Sequence, residues 1–519
     1  MLKDNTIQRD WKATMQLAKK PEVLTMLFLG FSAGIPFSLI FSSLSLWLNE
    51  AGITKSTVTY FSWAGLAFSF KFLWAPLIDR LPVPYLSSVL GRRRGWLLTA
   101  QVMVILSIVF MGTVNPLENE MSLTLMAFGA IALGFSAATQ DIVIDAYRIE
   151  VADVSIQGIL SSTYFTGYRT AMIVSGAGAL YLADFLGSNK ESYLYSAWQT
   201  TYYVMALVML IGVVTTLLIR EPRVKQNIDS KYSNVQYLKF LLFFVFCATV
   251  LVTAYISTSD IFIQIKAELK LLSGNSPVSN FIGEFLQLVT ALVSVTLFAF
   301  IFDKIGLLER KLVIENYWFP VKDFFSRYGA KLSLLLLLFI GFYRISDIVL
   351  GVIANVFYQD IGFSKTEIAT VSKTFGVIMM IVGSFIGGVM SIRFGVIRIL
   401  MLGGFLIVAT NLLFMLLAEV GYHIELLYFV ISADNLAAGI ATAAFLSFLA
   451  SITNVSFTAV QYAIFSSLMT LIPKLIGGYS GSMVENLGYS NFFLLASIMG
   501  LPVLYLILML KRLLVLEKV

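Results

Sequence analysis

The stretch Ser136-Ala-Ala-Thr-Gln-Asp-Ile-Val-Ile-Asp-Ala-Tyr-Arg-Ile-Glu150 decides how this chain is read. Asp141 and Asp145 stand four residues apart and Arg148 three further on, so on a helix the three side chains share one face. The sequence is apolar on both sides of them, which makes the helix a membrane span. A carboxylate in hydrocarbon costs several kcal/mol unless it is paired or faces a water-filled cavity. Chains keep such groups mostly where something polar or charged must pass, so the segment points to a transporter.

The surrounding chain agrees. Of 519 residues, 58% are hydrophobic and only 13% charged, more apolar surface than a soluble core of this size needs. About fourteen runs are long enough to cross a ~30 Å hydrocarbon layer: 22–48, 56–79, 96–114, 122–149, 158–186, 197–219, 236–258, 281–303, 332–358, 364–390, 396–417, 425–451, 456–486 and 490–511. The charged, amphipathic stretch before Pro21 and the length of the first apolar run argue against a cleavable signal peptide. Lys and Arg crowd the loops of one side, with Arg80, Arg92, Arg93, Arg94, Arg220, Arg310, Lys311, Arg393, Arg398 and Lys511 among them, so both termini are expected in the cytoplasm. The net charge of +6 is mostly this asymmetry and does not imply nucleic-acid binding.

Several classes are excluded. One cysteine, Cys247, allows no disulfide within the chain, and with the lone His423 it gives no basis for a metal centre. No Gly-x-x-x-x-Gly-Lys-Ser/Thr loop is present for ATP-driven transport. A polytopic membrane transferase would need a His or a paired-carboxylate loop at a membrane face, and His423 is isolated. The chain is read as no enzyme, without cofactors, drawing on a proton gradient and acting as a monomer in the lipid bilayer.

An internal repeat organises the spans. Trp47-Leu-Asn-Glu-Ala-Gly-Ile-Thr-Lys55 aligns with Phe357-Tyr-Gln-Asp-Ile-Gly-Phe-Ser-Lys365, and Gly176…Asp184…Gly187 with Gly477…Glu485…Gly488. Matching elements share one orientation, the parallel repeat expected of major facilitator halves. The expected fold is an all-α integral membrane protein of two six-helix bundles plus a central helix pair. Its parts are an amphipathic N-terminus (1–21), a first bundle (22–220), a linker with two extra spans and an amphipathic segment (221–331), a second bundle (332–512) and a tail (513–519). The loop after the second span holds Asp79-Arg80 and Gly91-Arg92-Arg93-Arg94-Gly95. Asp79 is expected to clamp an Arg or a helix N-terminus across neighbouring helix ends, with Arg80, Arg92 and Arg93 in the same device. The second half has Gly387-Gly388 and Arg393 without the Asp.

The motifs resemble one family, the AmpG muropeptide permeases of Gram-negative bacteria. The likeness runs through Gly30-Phe-Ser-Ala-Gly-Ile-Pro36, Lys71-Phe-Leu-Trp-Ala-Pro-Leu-Ile-Asp-Arg80, Gly91-Arg-Arg-Arg-Gly-Trp96, Thr139-Gln-Asp-Ile-Val-Ile-Asp-Ala-Tyr-Arg148 and Gly167-Tyr-Arg169. In the second half it takes in Lys373-Thr-Phe-Gly376, Asp434-Asn-Leu436 and Ser456-Phe-Thr-Ala-Val-Gln461. The resemblance implies proton-coupled import of N-acetylglucosaminyl-1,6-anhydro-N-acetylmuramyl peptides across the bacterial inner membrane for peptidoglycan recycling. Two departures stand out: the extra helix pair is central rather than C-terminal, and Asp434 replaces a Glu. A distant branch of the superfamily carries acetyl-CoA, so another organic anion, acetyl-CoA-like, nucleotide-like or a siderophore, is the alternative cargo.

At ~1.5 Å per helical residue, Lys71 lies ~12 Å in from Asp79, Asp141 ~14 Å from Glu150 and Arg169 ~16 Å from Gly158, all near the midplane. Asp141 and then Asp145 are the expected proton carriers, since burial and neighbouring cations pull a carboxyl in opposite directions. Lys71, Gln140, Tyr168 and Arg169 in the first half, and Arg344, Lys373, Asp434 and Lys474 in the second, are the expected substrate contacts. Trp47, Trp63, Tyr164 and Tyr168 could stack on sugar rings. The Gly30/Gly34, Gly383/Gly387 and Gly477/Gly481 pairs are expected at close helix contacts.

Overall fold

The computed structural model describes residues 20–53, 61–188, 192–222, 234–273, 276–305, 310–477 and 479–516. The expected amphipathic segment at 1–19 and the last residues, 517–519, lie outside them. The described residues are almost entirely helical, and eleven helices are long and apolar enough to cross a membrane, or twelve with one bent pair.

The first half contains α1 (Pro21–Glu50), α2 (61–80), α3 (Arg92–Thr113), α4 (Glu120–Val151), α5 (157–185) and α6 (Tyr195–Leu218). Four of them are interrupted, α1 and α6 by a single residue each, Phe41 and Met209, and α2 and α5 more extensively. α2 runs in short pieces, Phe61–Gly65, Leu66–Phe70, Lys71–Leu73 and Ala75–Arg80. Pro76 has no N–H to donate back into the preceding turn, and its ring crowds that turn's carbonyl. α5 passes from Gln157–Ile173 through a wide π turn, Val174–Gly178, to Ala179–Phe185. The segment 226–324 forms a compact unit of its own. In it α7 (Asn234–Ser257) bends by 50° into α8 (Ser259–Ser273), and α9 (Ser276–Lys304) returns alongside, Gln287 Nε2 donating to the Tyr255 carbonyl at 2.9 Å.

The second half contains α10 (Phe319–Phe342, then Ile345–Asp360), α11 (365–394), α12 (Val396–Val420), α13 (Ile424–Ile452), α14 (Thr458–Gly477) and α15 (Ser480–Leu516). The expected surface segment before 332 is helical from Phe319 up to a break at Gly329, where φ is 67°, and the chain then continues as a second helix to Phe342. The last helix continues through most of the expected tail, to Leu516. His423 caps α13, its Nδ1 accepting the Leu426 N–H at 3.3 Å.

The repeat is visible in backbone hydrogen bonds. At the end of α1, Ala51, Gly52 and Ile53 donate to Trp47, Asn49 and Leu48; at the end of α10, Ile361, Gly362 and Phe363 donate to Phe357, Gln359 and Tyr358. Both are Schellman closures with a left-handed glycine, φ 77° at Gly52 and 104° at Gly362. α1 lies against α5 with no room for side chains between: a Cβ on Gly30 would sit 2.0 Å from the Tyr164 carbonyl, and one on Gly167 1.9 Å from that of Leu27. Gly383 makes a similar approach to Leu436, 2.2 Å, whereas Gly481 faces open space and so serves no such contact. Trp47 is fully buried, stacked on Trp198 with ring centroids 5.7 Å apart, and its indole N–H donates to Tyr193. It is a core residue and has no face left for a sugar. The Trp63 side chain lies outside the described residues.

Candidate functional site

The halves meet at the Arg-rich end. Arg93 is buried with its guanidinium between two carboxylates, donating from Nη2 to Asp79 Oδ1 at 2.7 Å and from Nε to Glu150 Oε2 at 2.9 Å. The same Asp79 carboxylate accepts the backbone N–H groups of Ala459 at 3.2 Å and Val460 at 3.0 Å. These belong to the first turn of α14, whose N–H groups have no partner within the helix and carry its positive dipole end. Asp79 therefore takes both of its expected partners at once, and one of them is in the opposite half. Arg92 donates to the Asp79 carbonyl and lies 3.9 Å from Glu150, while Arg80 packs over the Phe457 ring at 5.8 Å. Sequence reasoning missed Glu150 and Glu221; the latter accepts the N–H groups of Arg93 (2.8 Å) and Arg94 (3.0 Å) at the start of α3. Both are carboxylates at helix ends on the basic side, where the charge bias draws attention to the cations alone.

A second contact lies between α5 and α11. A Cβ on Gly158 would be 2.9 Å from the Gly388 carbonyl, one on Gly388 2.6 Å from Ser162 Cβ, and Ser384 donates to Ser162 at 3.4 Å. A third runs deeper: Arg148 on α4 donates to the Tyr462 hydroxyl of α14 at 2.6 Å. Nothing in the sequence marked Tyr462, because its role exists only across the interface.

The intramembrane charges divide into paired and unpaired. Asp145 is held by Lys71 at 3.5 Å and by Arg148 at 3.2 Å, and Arg148 also donates to Ser161. Asp141 has no ion pair among the described residues; it accepts a long hydrogen bond, 3.4 Å, from the Tyr164 hydroxyl and is 9% exposed. Gln140 is fully buried and turned toward α1, donating to Ser32 at 3.0 Å, so it does not line a cavity in this state. Arg169 has no carboxylate partner among the described residues. It packs over the Phe165 ring at 4.9 Å, touches Met172 Sδ at 3.8 Å, and its Nε has no acceptor. Tyr168 is half-buried beside Tyr164 and Phe37, each with ring centroids 6.2 Å away.

In the second half Arg344 pairs with Asp347 and donates to Thr442 at 3.1 Å. This pair lies close enough to Arg169 for their charges to interact across the halves. Asp434 is half-buried and accepts from the Thr410 hydroxyl at 3.2 Å, without an ion pair among the described residues. Lys474 is exposed on α14, also without an ion pair among them. The Lys373 side chain lies outside the described residues.

Residues 26–315 match the sequence profile of the Major Facilitator Superfamily, more than half of the chain. The chain belongs to this superfamily. Relatives bear out the AmpG-type resemblance. The anhydromuropeptide permease of Escherichia coli K12 is 29% identical over 500 residues, 96% of this chain and 81% of that one. A Rickettsia conorii protein carrying the name AmpG 4 is 29% identical over 496 residues, 96% and 98% of the two chains. Among solved structures, the superfamily transporter FucP in its outward conformation aligns with a TM-score of 0.57 at 12% identity, covering 94% of this chain and 98% of that one. The protein is thus a multi-pass membrane transporter built on the major facilitator fold.

Proposed function

We propose that this chain imports anhydro-muropeptides, GlcNAc-1,6-anhydro-MurNAc with or without peptide, from periplasm to cytoplasm by proton symport and alternating access, feeding peptidoglycan recycling. The cargo is taken from the name of the Escherichia coli relative. The location is the bacterial inner membrane with both termini cytoplasmic, as the Lys and Arg asymmetry favours. The Arg-rich end is then the cytoplasmic gate, and it is shut in this structure.

The observation that carries the coupling is the contrast between two carboxylates one turn apart. Asp145 is neutralised by Lys71 and Arg148, whereas Asp141 has only a hydroxyl. An uncompensated carboxylate at this depth is stabilised by taking up a proton, so Asp141 is the carrier and Asp145 the fixed part of the gate. Arg148 connects them to the opposite half through Tyr462, so a change of charge beside it reaches the interface. Arg169, with an unused guanidinium N–H, receives an anionic group of the cargo.

The test is uptake of labelled anhydro-disaccharide peptide into proteoliposomes with and without an inward proton gradient. Gradient-driven uptake is expected, and Asp141→Asn should lower it at least tenfold while leaving counterflow exchange. Absence of uptake by folded, reconstituted protein would overturn the cargo and bring acetyl-CoA-like anions forward.

A further inference from the structure

A pocket of about 400 Å³ lies at the Arg-rich end, where the two halves meet. Its first-half wall carries Glu22 at the start of α1, Asp153 in the α4–α5 loop and Gln157 at the start of α5. Ala450 near the end of α13 and Thr453 just beyond it line it from the second half. Two acceptors among these residues are buried and have no hydrogen-bond partner among the described residues, Glu22 Oε2 and Gln157 Oε1. Gln157 is 1% exposed, and its Nε2 donates to the carbonyls of Arg148 at 2.9 Å and Ala152 at 3.1 Å. Those two bonds fix the amide, so the atom left over is the oxygen. A buried acceptor without a donor is costly and calls for a partner. Positive charge is scarce here: Glu150 is spent on Arg93, and Lys20, the one cation among the described lining residues, is exposed.

The second half shows how such a place is filled. α4 ends at Val151 and α13 at Ile452, and a single 3₁₀ turn follows each, Val154–Ile156 and Val455–Phe457. At the end of α13, Arg327 donates from Nη1 to the Ile452 carbonyl at 3.1 Å and from Nη2 to the Gln461 amide oxygen at 2.9 Å. Arg327 comes from the chain just ahead of the break at Gly329, before the membrane-crossing part of α10. A guanidinium thus ties the end of α13 to a glutamine of the next helix. Beyond the end of α4, Gln157 offers a matching amide oxygen, with Glu22 and Asp153 beside it.

We infer that this pocket is a guanidinium site, with Glu22 and Gln157 Oε1 accepting from the N–H fork, and that its occupant holds the Arg-rich gate shut. A carboxylate together with an amide oxygen suits a planar cation with five donors better than the point charge of an ammonium. Because both halves line the pocket, an occupant is fully held only when they meet, and it favours that state by its difference in affinity for the two. Two sources have this chemistry: the side chain of Arg9, eleven residues before Lys20 in the chain, and a free guanidino compound.

The test follows thiol labelling of Ser391→Cys in purified full-length protein with Cys247→Ala, so no cargo enters the readout. Ser391 is buried on α11 against Gly158, and labelling there reports opening. The probes are ethylguanidine, a cation at neutral pH, and its neutral isostere ethylurea. If Arg9 is the source, Arg9→Gln should speed labelling roughly threefold or more, and ethylguanidine but not ethylurea should slow it again. If the source is a free compound, Arg9→Gln should change nothing, and ethylguanidine should slow labelling by a similar factor with Arg9 in place. In both cases Glu22→Gln should abolish the response and Glu22→Asp should retain it; thermal melting checks that each variant is folded. Ethylguanidine without effect in either background, an equal effect of ethylurea, or a response that survives Glu22→Gln overturns the inference.

Discussion

Between α2 and α14 the halves are joined by a buried carboxylate, Asp79, that holds Arg93 on one side and the first N–H groups of α14 on the other. Between α5 and α11, the counterparts of α14 and α2 under the internal repeat, they are joined by Gly158 and Ser162 against Gly388 and Ser384. One closure depends on charge and the other on fit. A charge closure is released by anything that competes for Asp79. A packing closure is indifferent to charge but collapses when a methyl group is added. The second half lacks the Asp, so its version of the loop has only the small residues to offer. A gate built this way has one switchable edge and one edge that aligns the halves as they meet.

The largest effect should come from removing the cation at the centre of the charged closure. Arg93→Ala leaves Asp79 and Glu150 buried without a partner, a loss of roughly 3–5 kcal/mol. Melting temperature and folded yield should fall sharply. A variant that melts like wild type would show that the triad is not what holds this edge. Next is Gly388→Val, which drives a side chain into Ser162 and should cost about 1–3 kcal/mol of the closed state. Ser391 on α11 is buried and its Cβ lies 3.1 Å from where a Cβ on Gly158 would be, so in a Cys247→Ala background thiol labelling at Ser391→Cys should speed up several-fold to a hundredfold as the gate stands open more often. Unchanged labelling would mean that α5 and α11 already separate freely. The smallest is Tyr462→Phe, which removes the acceptor for Arg148 and should be worth about 1 kcal/mol, less than tenfold in labelling rate at the same reporter. If it exceeds Gly388→Val, the Arg148 bridge rather than glycine packing is the principal lock beside Asp79.

Much of the fold could be read from the chain. Lengths of apolar runs, the bias of Lys and Arg and the repeated Gly52 and Gly362 turns all depend on local chemistry, so they survive without knowledge of neighbours. The same locality explains the failures. The breaks in α2 and α5 do not alter hydropathy, so they read as ordinary spans. Trp47 reads as available for a sugar because nothing in its own segment announces Trp198, which stacks on it from 151 residues further along the chain.

The site divides along the same line. Sequence alone determined that Asp141, Asp145, Arg148 and Arg169 are charged groups inside a membrane span, and that Asp79 sits beside an arginine run, because depth and helical spacing follow from counting residues. Only the tertiary structure decided which of them are spent. Lys71 neutralises Asp145 and leaves Asp141 with a phenol, Arg148 crosses to Tyr462, and Asp79 caps a helix that begins 379 residues later. Pairing is a property of distance in space. In hydrocarbon it separates a structural charge from one left to meet a proton or a ligand.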